Sequence, residues 1–167
     1  MKYGKIIKND FTAAPAVCVT LFVSGCAHRC PGCHNPELWD ENAGINFTEE
    51  TIQEIIEALG ANNMQRNLCL MGGEPFYAGN DLTLVRLINK VKETYPNIKI
   101  YTWTGYTYEE LYQSPNASWF RLLQSTDYLI DGPYIQEQRD ITLRMRGSRN
   151  QRILKLDNEG QIIEELR

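Results

Sequence analysis

The chain has 167 residues, 43% of them hydrophobic and 23% charged, so it can bury one full core. Its net charge of −4 and pI near 5.3 exclude general attraction to a nucleic-acid backbone, and we expect no direct nucleic-acid partner. Five cysteines, three of them crowded into residues 26–33, do not suit a framework of paired disulfides. We expect a single domain over residues 1–167 in a reducing cytoplasm.

The first apolar run, residues 17–23, reads VCVTLFV and is typical of a strand buried on both faces. Together with the basic N-terminus, the VSGC that ends at Cys26 also resembles a bacterial lipoprotein cleavage site. The apolar stretch of such a signal would be residues 13–23, but Asp10 lies next to it and Pro15 and Cys18 interrupt it, so we interpret residues 17–23 as a strand. No later stretch approaches the roughly 18 apolar residues of a membrane-spanning helix, and we expect no membrane partner.

Strands and helices alternate along the rest of the chain. Further strands are predicted at residues 68–71, 98–104, 128–130 and 152–156. Helices are predicted from capping residues and apolar periodicity after Thr48, from Asp81 to Pro96, after Thr107 and at residues 119–124. The alternation predicts an α/β fold with about four to six mostly parallel strands. Eight strand-helix units would need about 200 residues or more, so a doubly wound sheet or an incomplete, open barrel remains.

Polar and glycine-rich segments follow the predicted strands at their carboxyl ends, where ligands gather in α/β folds. The segment SGCAHRCPGC follows the first of these strands, and the turn GGEP, residues 72–75, follows the second. Thr102 and Thr104 end the third strand, and Asp131 follows the fourth. We therefore expect a ligand site at this edge of the sheet.

Cys26, Cys30 and Cys33 are spaced at i, i+4 and i+7, which on a helix would place them on one face. Glycines and prolines between and around them argue against a helix, since an interior proline alone costs about 3 kcal/mol. The sequence therefore predicts a loop, which can turn three thiolates toward one point.

Three kinds of chemistry fit such a loop. Cys30 and Cys33 form a CxxC that can be a redox dithiol, although a proline follows too soon for the usual helix and Cys26 would have no role. A structural zinc site would take His28 or His34 as its fourth ligand, but the sequence has no second CxxC or HxxxH. An iron-sulfur cluster with three cysteine ligands would leave one iron open to a non-protein ligand.

The CxxxCxxC motif followed by a GGEP turn resembles the radical S-adenosylmethionine enzymes. The segments CPGCHNP, DYLIDGPY and RGSRNQRI extend this resemblance over about residues 3–156, toward the activating proteins of anaerobic ribonucleoside-triphosphate reductases. The resemblance implies one radical S-adenosylmethionine domain over residues 1–167, folded as an incomplete, open (β/α) barrel.

The resemblance also implies a 4Fe-4S cluster held by Cys26, Cys30 and Cys33, with S-adenosylmethionine chelating the open iron. Reductive cleavage of that cofactor would generate a glycyl radical on the large subunit of the reductase, with an electron donor such as flavodoxin. An activase of another glycyl radical enzyme, such as pyruvate formate-lyase, is the nearest alternative. A zinc-stabilised binding module without catalysis is the alternative from a different class.

The cofactor-binding positions that the resemblance implies are Gly32, His34, Gly72, Gly73, Glu74, Thr102 and Thr104. Many members of the family carry an aromatic residue before the third cysteine, near the adenine. Here Gly32 stands in that place, so we expect the backbone around it and His34 to hold the adenine.

Several other residues have no assigned role at the cofactor. We expect His28 to face solvent, and Cys18 and Cys69 to be small buried hydrophobes within strands. Four arginines follow the fourth predicted strand: Arg144, Arg146, Arg149 and Arg152. They fit three roles, which are a contact to the cofactor carboxylate, a docking surface for an acidic partner, or an exposed salt-bridged strand pair.

Overall fold

The computed structural model describes residues 1–167 and contains one sheet of eight strands. The strands are β1 (Lys2–Asp10), β2 (Cys18–Val23), β3 (Ile45–Asn46), β4 (Asn67–Gly72), β5 (Ile100–Trp103), β6 (Tyr128–Asp131), β7 (Arg152–Leu156) and β8 (Ile162–Leu166). Their spatial order is β3-β1-β2-β4-β5-β6-β7-β8, so β3 and β8 are the two edges and the sheet is not closed.

The centre of the sheet is parallel and its flanks are antiparallel. Strands β2, β4, β5 and β6 pair in parallel, whereas β3, β1, β7 and β8 add antiparallel strands on either side. The predicted α/β class is therefore confirmed, but the predicted four to six strands and mostly parallel pairing are wrong. The strands that sequence patterns missed are β1, β3 and β8, which lack the continuous apolar runs of buried parallel strands.

Four α-helices connect the parallel strands. They are α1 (Glu49–Leu59), α2 (Asn80–Thr94), α3 (Tyr108–Gln113) and α4 (Ala117–Ser125). The predicted caps are confirmed at two of them, because Thr48 and Thr107 each form a capping box with the third helical residue. None of the helices has the length and apolar character that crossing a membrane requires.

The helices cover only one face of the sheet. A cluster of 24 buried residues fills the space between this face and the helices, with Leu21 and Leu70 from the strands meeting Ile55 and Leu84 from α1 and α2. The opposite face carries a cluster of six buried residues that includes no helical side chain. It contains Cys18 and Cys69, both 0% exposed, which confirms them as small buried hydrophobes. One face of the sheet is therefore left free to build a site.

Gly72 ends β4 at a point where two backbones approach closely. Its φ is +107°, and a Cβ added there would lie 2.8 Å from backbone atoms of Phe22 and Val23 in the neighbouring strand β2. The close packing of the β4 carboxyl end against β2 therefore requires glycine.

We expect Gly72→Ala to lower the free energy of unfolding by about 3 kcal/mol or more, because it adds a backbone clash to a left-handed conformation. Gly79→Ala is the matched control, since Gly79 has a φ of +90° but no atom lies within 4 Å of the position that a Cβ would take there. Its expected loss is about 1–2 kcal/mol, from backbone strain alone. Urea denaturation followed by circular dichroism measures both losses, and equal losses would contradict the role of the clash.

Candidate active site

A cavity of about 220 Å³ lies beyond the carboxyl ends of the parallel strands. Four segments line it. The segment after β2 contributes Cys26, His28, Cys30, Cys33, His34 and Asn35; the end of β4 contributes Met71, Gly72, Gly73 and Glu74; the end of β5 contributes Trp103, Thr104 and Gly105; and the chain after β6 contributes Gly132, Tyr134, Met145, Gly147 and Gln151. The predicted ligand edge and the cavity therefore coincide.

The cysteine segment is a loop, as predicted. Its entry is fixed because the Gly25 and Cys26 N–H groups donate to the carbonyls of Leu38 and Trp39, at 2.8 and 3.1 Å. Between Cys30 and Cys33 a tight turn closes through a backbone hydrogen bond of 3.1 Å. This backbone frame turns three thiols toward the cavity without help from a helix.

The three thiols are free, partly exposed, and all line the cavity. No three His, Cys, Asp or Glu side chains come close enough together to hold a single metal ion. The thiols are therefore separate groups around one space, an arrangement that fits a cluster in which each cysteine would bind a different iron. Burial raises the pKa of the Cys26 thiol, so a bound cation is what would hold it as a thiolate.

Glu74 links three segments of the site through a buried carboxylate that is 1% exposed. Its Oε1 accepts hydrogen bonds from the Phe76 N–H (3.0 Å) and the Thr104 hydroxyl (2.8 Å). Its Oε2 accepts from the Gly105 N–H (2.8 Å) and from Nε2 of His28 (2.8 Å). With both oxygens occupied in this way, the Glu74 side chain positions the turn, and the backbone of the turn is what remains for a ligand.

His28 does not face solvent, so that prediction is wrong. Its side chain is 19% exposed, and its ring packs edge-on against Tyr106 with the centroids 4.4 Å apart. Gly105 makes room for it, since a Cβ there would lie 2.5 Å from the imidazole. The hydrogen bond to Glu74 raises the pKa of His28 against the opposing effect of burial. His28 thereby ties the cysteine loop to the turn after β4.

Of the other predicted site residues, the structure brings some to the cavity and leaves two outside it. His34 lines the rim and packs against the ring of Tyr134, with the centroids 5.8 Å apart. Gly32 is exposed and does not line the cavity. Thr102 is fully buried on the helix-covered face, where its hydroxyl pairs with that of Thr126 at 3.0 Å. Side chains alternate along β5, so Trp103 and not Thr102 faces the cavity.

Asp131 and Arg152 form an ion pair outside the cavity. Asp131, 1% exposed, accepts from Nε of Arg152 at 3.0 Å and from the Tyr108 N–H at 2.7 Å. Arg152 also pairs with Glu109 at 2.8 Å, and its two carboxylate partners raise the pKa of its guanidinium. Of the roles considered for Arg152, the salt-bridged strand pair is the one found.

The sequence patterns did not predict the apolar and aromatic lining from β5 and from the chain between β6 and β7. Trp103 lies two residues after Tyr101 and therefore on the same face of β5, opposite Thr102, and this alternation could have placed it on the free face. Its indole N–H donates to the Met145 carbonyl at 2.7 Å. Met145 lies in irregular structure that has no periodic signal, so only the tertiary fold places it at the site.

Comparisons with known proteins identify the family of this chain. Residues 14–154 match the family described as a 4Fe-4S single cluster domain. The chain is 40% identical over 152 residues to the anaerobic ribonucleoside-triphosphate reductase-activating protein of Vibrio cholerae, covering 90% of this chain and 96% of that one. The protein of the same name from Enterobacteria phage T4 is 37% identical over 154 residues, covering 92% and 93%. The one from Escherichia coli K12 is 35% identical over 152 residues, covering 90% and 96%.

We expect Glu74→Gln to lower the free energy of unfolding of the metal-free protein by about 2–4 kcal/mol. The glutamine amide replaces one of the two carboxylate oxygens by an NH₂ group, which is a donor. Whichever oxygen is replaced, the NH₂ then faces a backbone N–H donor, that of Phe76 or that of Gly105, and a hydrogen bond is lost. Glu93→Gln removes a carboxylate that is 69% exposed and 3.9 Å from Lys90, and should change the free energy by less than about 0.5 kcal/mol. Urea denaturation measures the free energy of unfolding of both variants. A Glu74→Gln protein as stable as wild type would contradict the role of the Glu74 carboxylate in holding the three segments together.

Proposed function

Because the chain belongs to the family of anaerobic ribonucleoside-triphosphate reductase-activating proteins, we propose that it activates such a reductase enzymatically. The proposed reaction generates a glycyl radical on the large subunit of the reductase. It is an oxidoreductase reaction that needs one electron from a low-potential donor, for which a flavodoxin is suited, and we place it in the cytoplasm. The observation that carries the proposal is the group of three free thiols around one cavity at the edge of the sheet.

Cys26, Cys30 and Cys33 would hold the 4Fe-4S cluster and are the residues on which cofactor cleavage depends. With S-adenosylmethionine bound, such a cluster would supply the one electron that cleaves the sulfonium, and methionine and a 5′-deoxyadenosyl radical would result. The match of residues 14–154 to a 4Fe-4S single cluster domain supports the cluster. The protein itself supplies binding, orientation and exclusion of water.

The turn after β4 would bind the methionine end of S-adenosylmethionine. Since the Glu74 carboxylate is fully engaged, the accepting groups are backbone carbonyls, and that of Gly73 accepts no hydrogen bond from the protein. Thr104 acts indirectly, because its hydroxyl donates to Glu74. Gly72 would also act indirectly. Because it lacks a Cβ, it lets β4 pack closely against β2, and this packing fixes the position of the turn after β4.

Aromatic side chains of the cavity would hold the adenine. His34 and Tyr134 pack against one another, and Trp103 lines the same cavity. Gly32 lies on the exposed part of the loop and Thr102 on the helix-covered face, so neither is given a contact in this proposal. The open sheet, which we interpret as an incomplete barrel, would leave room for a loop of the reductase to reach the cofactor.

We expect Cys30→Ala to abolish S-adenosylmethionine cleavage and to lower the iron and sulfide content while the fold is retained, because this cysteine lies in a surface loop. The matched control is Cys69→Ala, in which the cysteine lost is 0% exposed within β4. That variant should keep its iron and instead lose about 1 kcal/mol or more of stability.

Anaerobically purified proteins are reduced with dithionite, analysed for iron, sulfide and zinc, and studied by electron paramagnetic resonance with and without S-adenosylmethionine. A reduced four-iron signal that changes when S-adenosylmethionine is added is the expected result for wild type. Stoichiometric zinc without iron, or unfolding of Cys30→Ala, would instead mean a structural metal site and overturn the proposal.

A further inference from the structure

Residues 132–151, here called the wall loop, join β6 to β7 and form one side of the cavity. Tyr134, Met145, Gly147 and Gln151 are the side chains and backbone that the loop turns toward the cysteines. The hydrogen bond from the Trp103 indole to the Met145 carbonyl anchors the wall loop to the end of β5. The loop is therefore part of the site and not a remote surface feature.

The wall loop has a fixed shape of its own. Its two arms meet at an antiparallel bridge between Arg139 and Ser148. At its base, the Asn150 side-chain amide donates to the Pro133 carbonyl at 2.7 Å. The Gln151 side-chain oxygen accepts from the N–H groups of Gly147 and Ser148, at 2.8 and 3.1 Å. Because these bonds are internal, the direction in which the loop presents its side chains is set by the chain itself.

The wall loop carries four arginines that have no carboxylate within salt-bridge distance, namely Arg139, Arg144, Arg146 and Arg149. Its two acidic residues are Glu137, which is exposed, and Asp140, whose carboxylate accepts hydrogen bonds from Thr142. The loop is thus positively charged, whereas the whole chain has a net charge of −4. Arg152, just after the loop, shows the contrast, since it is paired with two carboxylates.

The four arginines are not part of the cavity lining, although Met145 and Gly147 between them are. The Arg146 guanidinium is held against the loop by hydrogen bonds to the carbonyls of Arg144 and Gln151. Arg139, Arg144 and Arg149 are exposed to solvent, and Ile141 at the tip of the loop is 82% exposed. This placement argues against a contact from these arginines to the carboxylate of S-adenosylmethionine, and it puts unpaired positive charge with an apolar side chain on the rim.

We propose that the outer face of the wall loop docks an acidic segment of the reductase, next to the stretch that enters the cavity. The inference rests on the proposed function. A cavity of about 220 Å³ cannot enclose a protein, so a polypeptide substrate has to approach over the rim. Guanidinium groups bind carboxylates through two parallel hydrogen bonds, and a rim of one charge steers a partner of the opposite charge. The exposed Ile141 would supply apolar contact at the same place.

The test compares two double charge reversals with the same total change in charge. The loop variant is Arg144→Glu with Arg149→Glu. The control is Lys99→Glu with Arg121→Glu, which alters exposed, unpaired residues just before β5 and on α4, away from the carboxyl edge. Each reconstituted protein is studied anaerobically. The Kd for the purified reductase large subunit is measured at about 50 and 500 mM salt. The Kd for S-adenosylmethionine and the formation of the glycyl radical are measured on the same proteins.

We expect the loop variant to bind the reductase about 10- to 100-fold more weakly at low salt, and within about 3-fold of wild type at high salt, where charges are screened. The control should stay within about 3-fold at both salt concentrations. Affinity for S-adenosylmethionine should change by less than about 2-fold in either variant.

Two results would overturn the docking inference while the proposed function stands. In the first, the loop variant binds and activates the reductase as wild type does. In the second, the loop variant loses affinity for S-adenosylmethionine and keeps its affinity for the reductase, which would assign the arginines to the cofactor. If wild type itself neither binds the reductase nor forms a glycyl radical, the proposed function fails and the inference fails with it.

Discussion

The buried carboxylate of Glu74 is the point on which the geometry of the site depends. It receives four hydrogen bonds from the turn after β4, the end of β5 and the cysteine loop, and so fixes three separate segments relative to one another. Burying a carboxylate without these donors would cost free energy of folding. The carboxylate is therefore stable only when the three segments are in place, and the segments are held in place by the carboxylate. The cysteine loop, which has no helix to stiffen it, is held in place by this contact through His28 and by its backbone bonds to Leu38 and Trp39.

The one-sided placement of the helices decides where chemistry can occur. Leu21, Leu70 and their neighbours on one face are fully covered by α1 to α4, which provides the core. The other face has only a small cluster around Cys18, Cys69 and Tyr101, and its carboxyl end remains open as the cavity. Successive side chains of a strand point to opposite faces of the sheet, so one strand supplies both core and cavity residues. In β5, Thr102 lies in the core, where it pairs with Thr126, and Trp103 lines the cavity.

The cavity has two sides with different chemistry, which suits the proposed function, in which a small cofactor and a large partner would both reach this edge of the sheet. On one side lie the thiols and the turn after β4, whose buried polar groups are matched internally. On the other side lies the wall loop, which presents Met145 and Tyr134 inward and unpaired arginines outward. Buried groups must be satisfied within the chain, whereas the outward arginines are free to meet another molecule.

The local features of this protein can be predicted from the sequence alone, because their signals lie within a few neighbouring residues. The caps at Thr48 and Thr107, the buried strand β2, the loop character of the cysteine segment and the turn after β4 all follow from short-range rules. The flanking strands, the buried position of His28 and the shape of the wall loop depend on tertiary contacts instead. His28 and Glu74 are 46 positions apart, and Trp103 and Met145 are 42 apart, so no periodicity or spacing records that they meet. Those contacts depend on how the sheet brings distant segments to one edge.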